Sequence, residues 1–169
     1  TPTILTSGKK DETEKILLQL SDGLCIETVL MGRENKKINK KEEYRYTVCL
    51  STQAGCPMKC SFCATGKLGF KRNLTTYEII DQLRYWIYHL NKKNKGVIDN
   101  IVLMGQGEPL ANYEAVKNAI NIILENTTIG PRQITISTVG VKNGMEKMLV
   151  DKDFPPIRFA LSLHSAINQ

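Results

Sequence analysis

Two apolar runs, Ile16-Leu17-Leu18-Gln19-Leu20 and Leu24-Cys25-Ile26-Glu27-Thr28-Val29-Leu30, flank Ser21-Asp22-Gly23. A glycine there supplies the positive φ that a tight turn needs, so residues 14–31 read as a β-hairpin. A charged loop follows, and then a strand from about Tyr44 to Ser51. The next stretch carries Gly55, Pro57, Gly66 and Gly69, which interrupt regular structure, and reads as loop. Thr75-Thr76-Tyr77-Glu78 has the form of a capping box, opening a helix with Ile79, Ile80, Leu83, Trp86, Ile87 and Leu90 on one face. That helix closes in a lysine- and asparagine-rich turn. A strand over Ile98–Met104 ends at Gly105, and Val116, Ala119, Ile120, Ile123 and Leu124 mark a second amphipathic helix. A strand over 133–138, a short helix near 143–149 and a strand over 157–163 repeat the alternation.

Strands that alternate with helices and lack a polar face predict an α/β fold, with a parallel sheet covered by helices. Ligands of such sheets bind beyond the C-terminal ends of the strands. Four segments fall there: the loop after residue 51, Gly105-Gln106-Gly107-Glu108-Pro109, Ser137-Thr138-Val139-Gly140 and Ser162-Leu163-His164. No internal repeat beyond this alternation and no low-complexity tract is visible.

A length of 169 residues with 41% hydrophobic content suffices for one globular core. No apolar run approaches membrane-spanning length and no signal-peptide pattern opens the chain, so it reads as soluble. A start at Thr1 and a stop at Gln169, a few residues past an apolar run that looks like a buried strand, suggest a piece of a longer protein. The net charge of +6 favours an anionic partner such as RNA. Lys36, Lys37, Lys40, Lys41, Lys92, Lys93 and Lys95 fall in turn-like polar stretches, where phosphate contact and plain solvation are both open.

Three of the five cysteines, Cys56, Cys60 and Cys63, form C-x3-C-x2-C in the loop after the first core strand. They are too close together for a disulfide framework, which points to a reducing compartment. Ferredoxin-type clusters use four thiolates for four irons, so three imply an iron–sulfur cluster with one iron left open. The other reading is zinc, with His89 or His164 as fourth ligand. Plain readings also stand beside the remaining candidates. Cys49 fits a small buried strand residue, Glu27 the outward member of an alternating strand, and His164 a hydrogen-bonded core histidine. Gly105-Gln106-Gly107 fits a tight turn, Cys25 a structural thiol, and Trp86 with Tyr85 and Tyr88 core and surface rather than an RNA-stacking platform.

The cysteine loop followed by a glycine–glutamate turn resembles the radical S-adenosylmethionine (SAM) superfamily. More narrowly, Cys49-Leu50-Ser51-Thr52-Gln53-Ala54-Gly55-Cys56, Phe62-Cys63-Ala64-Thr65-Gly66, Arg72-Asn73-Leu74, Gly107-Glu108-Pro109-Leu110, Ile136-Ser137-Thr138 and Leu161-Ser162-Leu163-His164 resemble the RlmN/Cfr family of RNA adenine methyltransferases. The resemblance runs from about Glu27 to His164. It implies about the first four β/α units of a partial (β/α)6 radical SAM barrel over 44–169, after an N-terminal hairpin and charged loop over 1–43.

It further implies that Cys56, Cys60 and Cys63 hold a [4Fe-4S] cluster, and that Gly107, Glu108, Ser137, Ser162, Leu163 and His164 bind SAM. Glu27 would be the proton acceptor. Cys49 would resolve a methyl-cysteine intermediate through a transient disulfide with a cysteine this sequence lacks, so the chain alone should not complete turnover. The implied substrate is an adenine of 23S rRNA, possibly also of tRNA. The implied setting is a monomer fed by an electron donor such as flavodoxin, off the membrane, in the cytoplasm or an organelle with its own ribosomes. Pro109 resembles the branch that methylates carbon 2, whereas the carbon-8 resistance branch tends to have alanine there; Gln106 stands where the family often has methionine. Two rivals remain: a metal-stapled RNA-binding module without catalysis, and a radical SAM enzyme with another substrate.

Overall fold

The computed structural model describes residues 2–7, 13–34 and 44–163. The first basic group, Lys36 to Lys41, and His164 lie outside the described residues. The hairpin expected over 14–31 is present as β2 (Glu14–Gln19) and β3 (Cys25–Glu34), with Gly23 at φ 85° in the turn. An additional strand, β1 (Pro2–Ser7), pairs antiparallel with β2. β4 (Tyr44–Cys49) lies antiparallel to β3, with Cys49 opposite Val29. From β4 onward the sheet is parallel, through β7 (Ile98–Leu103), β8 (Ile134–Thr138) and β9 (Arg158–Leu161). The strand order is β1-β2-β3-β4-β7-β8-β9 in one sheet.

The helix opened by the capping box is α2 (Thr76–Lys93): Thr75 accepts from the Glu78 N–H and Glu78 accepts from the Thr75 N–H. Two orphan N–H groups of the first turn are thereby satisfied. The helix stops at Asn94, which takes the left-handed conformation at φ 51°, so Lys92 and Lys93 belong to the last helical turn rather than to the loop after it. α3 (Tyr113–Asn126) follows a 3₁₀ turn, Pro109–Asn112. Ile79, Leu83, Trp86 and Leu90 of α2 and Val116, Ala119, Ile120 and Ile123 of α3 pack on Ile26, Leu30, Val48, Ile101, Ile134 and Ile136 of the sheet. These helix positions recur at three- and four-residue spacing, which places them on one stripe. Ile87 falls beside that stripe and is exposed. Trp86 is core and Tyr88 surface, as their spacing predicts.

Three expectations need correction. The stretch after residue 51 is not plain loop: β5 (Gln53–Gly55) and β6 (Phe70–Asn73) form a two-stranded ribbon, and α1 (Ala64–Leu68) is a short helix between them. β9 is not buried, because it has a sheet neighbour on one side only, and Phe159 and Leu161 are exposed. Cys25, taken as a structural thiol, is exposed at the start of β3.

Candidate functional site

At the C-terminal ends of the parallel strands, loops from three strands are joined by buried polar side chains. β4 runs into Ser51, Thr52 and Gln53, all essentially inaccessible. Ser51 Oγ donates to the Glu27 carbonyl at 2.6 Å and accepts from the Gln106 N–H at 2.8 Å, so one hydroxyl links β3 to the turn after β7. The Thr52 N–H donates to the Gln106 carbonyl at 2.8 Å. Gln82 of α2 holds Ser51 from below, accepting from its N–H at 2.8 Å and donating to its carbonyl at 2.9 Å. Asn112 closes the arrangement from the 3₁₀ turn, donating to the Thr52 and Leu74 carbonyls at 2.8 Å each. Every such buried group has to find a partner inside the protein, which makes the unit stiff.

The cysteine loop starts at the end of the β5/β6 ribbon, where the Cys56 N–H donates to the Gly69 carbonyl at 3.2 Å. Gly55 at φ 78° lets the chain pass this crossing, and a Cβ there would overlap the Gly69 oxygen. Cys63 caps α1, and Cys56, Cys60 and Cys63 are half-buried free thiols. Burial pushes the Cys56 thiol up; the negative charges of Cys60, Cys63 and Glu108 act in the same direction, and the Met58 N–H acts against them.

Glu108 is buried, 3% exposed. Its Oε1 accepts from the Leu110 N–H at 3.0 Å and the Thr138 hydroxyl at 2.6 Å, and its Oε2 accepts from the Val139 N–H at 3.0 Å. A carboxylate has about four acceptor positions, so one remains open. Thr138, given no role in the sequence reading, thus joins the ends of β7 and β8. The neighbouring Ser137 lies 3.0 Å from Ser162 across β8 and β9, hydroxyl to hydroxyl, and Leu163 is exposed.

Opposite the helices, alternate residues of β2, β3 and β4 form a second face. Cys49 faces the same side as Val29, its cross-strand partner, and Glu27 lies two residues along β3 on that side. Lys15 Nζ donates to Glu27 Oε1 at 3.0 Å, and Glu27 Oε2 has no protein partner among the described residues. Burial pushes the Cys49 thiol up, with partial relief from the Met104 N–H. The structure therefore brings together the cysteine loop, Gly107-Glu108, Ser137 and Ser162, with Glu27 and Cys49 on the adjoining face.

The donor set fits an iron–sulfur cluster. It offers three thiols, and the carboxylate near them is already committed to three donors. Among the described residues no group of three or more His, Cys, Asp or Glu side chains stands closed around one ion. His89 is no fourth ligand: it lies beside Glu14, Tyr85 and Trp86, roughly 20 Å along α2 from the end that meets the cysteine loop. The signal that could have exposed Ser51 and Gln53 is three consecutive polar residues directly after an apolar strand, all of them buried.

A parallel α/β sheet with three clustered thiols and a glycine–glutamate turn beyond its strand ends defines a cofactor-binding domain. A model of the radical SAM superfamily matches residues 50–167, and the chain belongs to that superfamily. It is 44% identical over 170 residues to a protein of Dictyoglomus turgidum named "Probable dual-specificity RNA methyltransferase RlmN", covering 99% of this chain and 45% of that one. It is 42% identical to the "Ribosomal RNA large subunit methyltransferase N" of Nitrosopumilus maritimus, covering 94% of this chain and 44% of the relative. A crystal structure of a radical SAM methyltransferase from Sphaerobacter thermophilus superposes with a TM-score of 0.83 at 36% identity, over 98% of this chain and 46% of that one. The chain thus spans less than half the length of these relatives.

Proposed function

We propose that this chain is the cofactor-binding part of an RNA methyltransferase of the RlmN type, methylating carbon 2 of an adenine in 23S rRNA and possibly in tRNA. The observation that carries this reading is the placement of Glu27 and Cys49 as diagonal neighbours on the open face of strands that adjoin the cysteine loop. A radical SAM domain that only cleaved its cosubstrate would have no use for that pair. The names of the relatives, at 42–44% identity, support the RNA substrate.

In this reading Cys56, Cys60 and Cys63 hold a [4Fe-4S] cluster, in about the first four units of a (β/α)6 barrel over 44–169 that follows the hairpin region 1–43. When bound, the cluster supplies the single electron that splits the SAM sulfonium and yields a 5′-deoxyadenosyl radical. The chain's own groups grip SAM and supply two of the later reacting groups. The Gly107 carbonyl, which accepts no hydrogen bond from the described residues, and the open acceptor position of Glu108 suit the methionyl ammonium of SAM. Ser137, Ser162, Leu163 and His164 line the remainder of SAM.

Glu27, whose Oε2 has no protein partner among the described residues, is the base for the proton of the ring carbon once the methylene group of the methyl-carrying cysteine has joined it and the electron first lent to SAM has been returned. Burial pushes the Cys49 thiol up, and the thiol gives up its proton as it attacks. Its sulfur then forms an S–S bond with the cysteine that carried the methyl group, the S–C bond to the RNA breaks, and a proton completes the methyl group on carbon 2. That second cysteine belongs to no residue of this sequence. Pro109 opens the 3₁₀ turn beside Glu108, and its place in Gly-Glu-Pro resembles the carbon-2 branch. A one-electron donor such as flavodoxin, a monomeric state and a cytoplasmic or organellar ribosomal setting complete the proposal; no helix of the described residues is long and apolar enough to cross a membrane.

Anaerobic reconstitution with iron and sulfide, followed by reduction and electron paramagnetic resonance with and without SAM, tests it. A [4Fe-4S] signal that SAM shifts is the expected result. Bound zinc, or a cluster indifferent to SAM, would favour a metal-stapled RNA-binding module instead.

A further inference from the structure

Gln53 is 1% exposed, and both ends of its side-chain amide are used. Oε1 accepts from the Glu108 N–H at 2.8 Å, and Nε2 donates to Asn73 Oδ1 at 2.8 Å. The orientation is forced. A backbone N–H can only donate, so the amide oxygen has to face Glu108; the amide nitrogen then faces Asn73, which must present its oxygen. Asn73 closes the ribbon, paired with Gln53 across β5 and β6, so the amide reports the position of the strands that frame the cysteine loop.

Gly107 rests directly on the same side chain. Its φ is 102°, and a Cβ there would come within 2.6 Å of Gln53 Cβ. The turn is therefore set from two sides: Thr138 and Val139 hold the Glu108 carboxylate, and Gln53 holds the Glu108 N–H and carries Gly107. The Gly107 carbonyl lies between these two restraints.

We propose that Gln53 is a positioning residue whose buried amide sets the Gly107-Glu108 turn at the correct height over the cysteine loop, and so sets the grip on the amino-acid end of SAM. This rests on the reading of the site given above. The Gln53 amide is taken up by the Glu108 N–H and Asn73, so its loss should act through the turn, on one end of the ligand. Removing the acceptor strands a buried N–H, and the turn can satisfy it only by moving.

The test uses the reconstituted protein and two ligands, SAM and 5′-methylthioadenosine, which lacks the amino-acid end. Dissociation constants, iron and sulfide content and thermal midpoints are measured for wild type, Gln53→Met and Asn73→Ala. Gln53→Met is expected to keep its iron and to bind SAM about tenfold more weakly, with 5′-methylthioadenosine unchanged. Asn73 is exposed, so Asn73→Ala will fold even where the buried variant does not; it frees the amide and should shift the ratio of the two constants the same way by a smaller factor. A ratio unchanged in both variants, or equal losses for the two ligands, overturns the proposal while leaving the site reading intact. A wild-type protein that holds its cluster and binds no SAM overturns both.

Discussion

The two faces of β3 and β4 are built from neighbouring residues and obey different rules. On the helix side stand Ile26, Thr28, Leu30, Tyr46 and Val48, nearly without solvent contact and packed on α2 and α3. On the other side stand Glu27, Val29 and Cys49, half-exposed, beside Lys15 of β2. A strand turns successive side chains to opposite faces, so stability and candidate chemistry are interleaved at single-residue spacing. The helix side fixes the strand positions by close packing. The other side can therefore carry an ion pair and a free thiol without being needed for the fold.

The sharpest break in this symmetry comes from Trp86. It is fully buried on α2, and its Nε1 donates to Thr28 Oγ1 at 3.1 Å. Trp86→Ala should lower unfolding free energy by about 3–5 kcal/mol, seen as a large fall in the urea midpoint. Cys49→Ala, on the opposite face, should leave that midpoint nearly in place. Comparable losses from the two variants would show that the faces are not independent.

Adjacent positions give a finer version. Thr28 donates to the Cys49 carbonyl at 2.7 Å while accepting from Trp86. Thr28→Val keeps the shape but leaves the buried Trp86 N–H without its acceptor, a cost of about 2 kcal/mol. Glu27→Gln, one residue earlier, removes one charge of a half-exposed ion pair and should change stability by less than about 0.5 kcal/mol. Chemical denaturation of the two variants side by side decides it, and a Glu27→Gln cost as large as that of Thr28→Val would sink the division of labour.

What the sequence made legible follows the same division. The helix side announces itself because burial is periodic: Ile79, Leu83, Trp86 and Leu90 recur at helical spacing, Ile101 lies in a short apolar run, and Ile134 and Ile136 alternate with Thr135 and Ser137. The cysteine loop is legible because three thiols at short spacing have few other uses. Ser51, Gln53 and Asn112 were not, since a polar residue in a loop is ordinarily solvated and only the folded positions of Gln106 and Glu108 give these side chains partners. The ribbon of β5 and β6 escaped for a related reason. Its strands hold three and four residues, too few to display a period, and Gly55 ends the first while Gly69 precedes the second. The pairing of Glu27 with Lys15 depends on the register of β2 against β3, which no local pattern states.

The smallest effect lies where the two faces meet the cysteine ribbon. Arg72 of β6 makes two hydrogen bonds of 2.8 Å to Glu78, at the start of α2, and one of 2.6 Å to Asp22, in the hairpin turn. One guanidinium thus ties the strand pair that carries Glu27 to the helix that packs beneath it. Hydrogen bonding to Arg72 outweighs burial and holds the Glu78 carboxyl below its ordinary value of 4.5. A carboxyl whose pKa is depressed by folding contributes stability above its unfolded value and loses it as the pH falls through its folded value. Arg72→Met should therefore be less stable than wild type by about 1 kcal/mol at pH 7, the pair being only partly shielded from solvent. That gap should narrow once the pH drops below about 4.5, as wild-type Glu78 takes up its proton and the pair loses its advantage. Thermal midpoints of both proteins from pH 7 to pH 3 read this directly. A gap that stays constant across the range would mean that Arg72 acts through its packing against the ribbon, and that the two faces are joined there by contact rather than by charge.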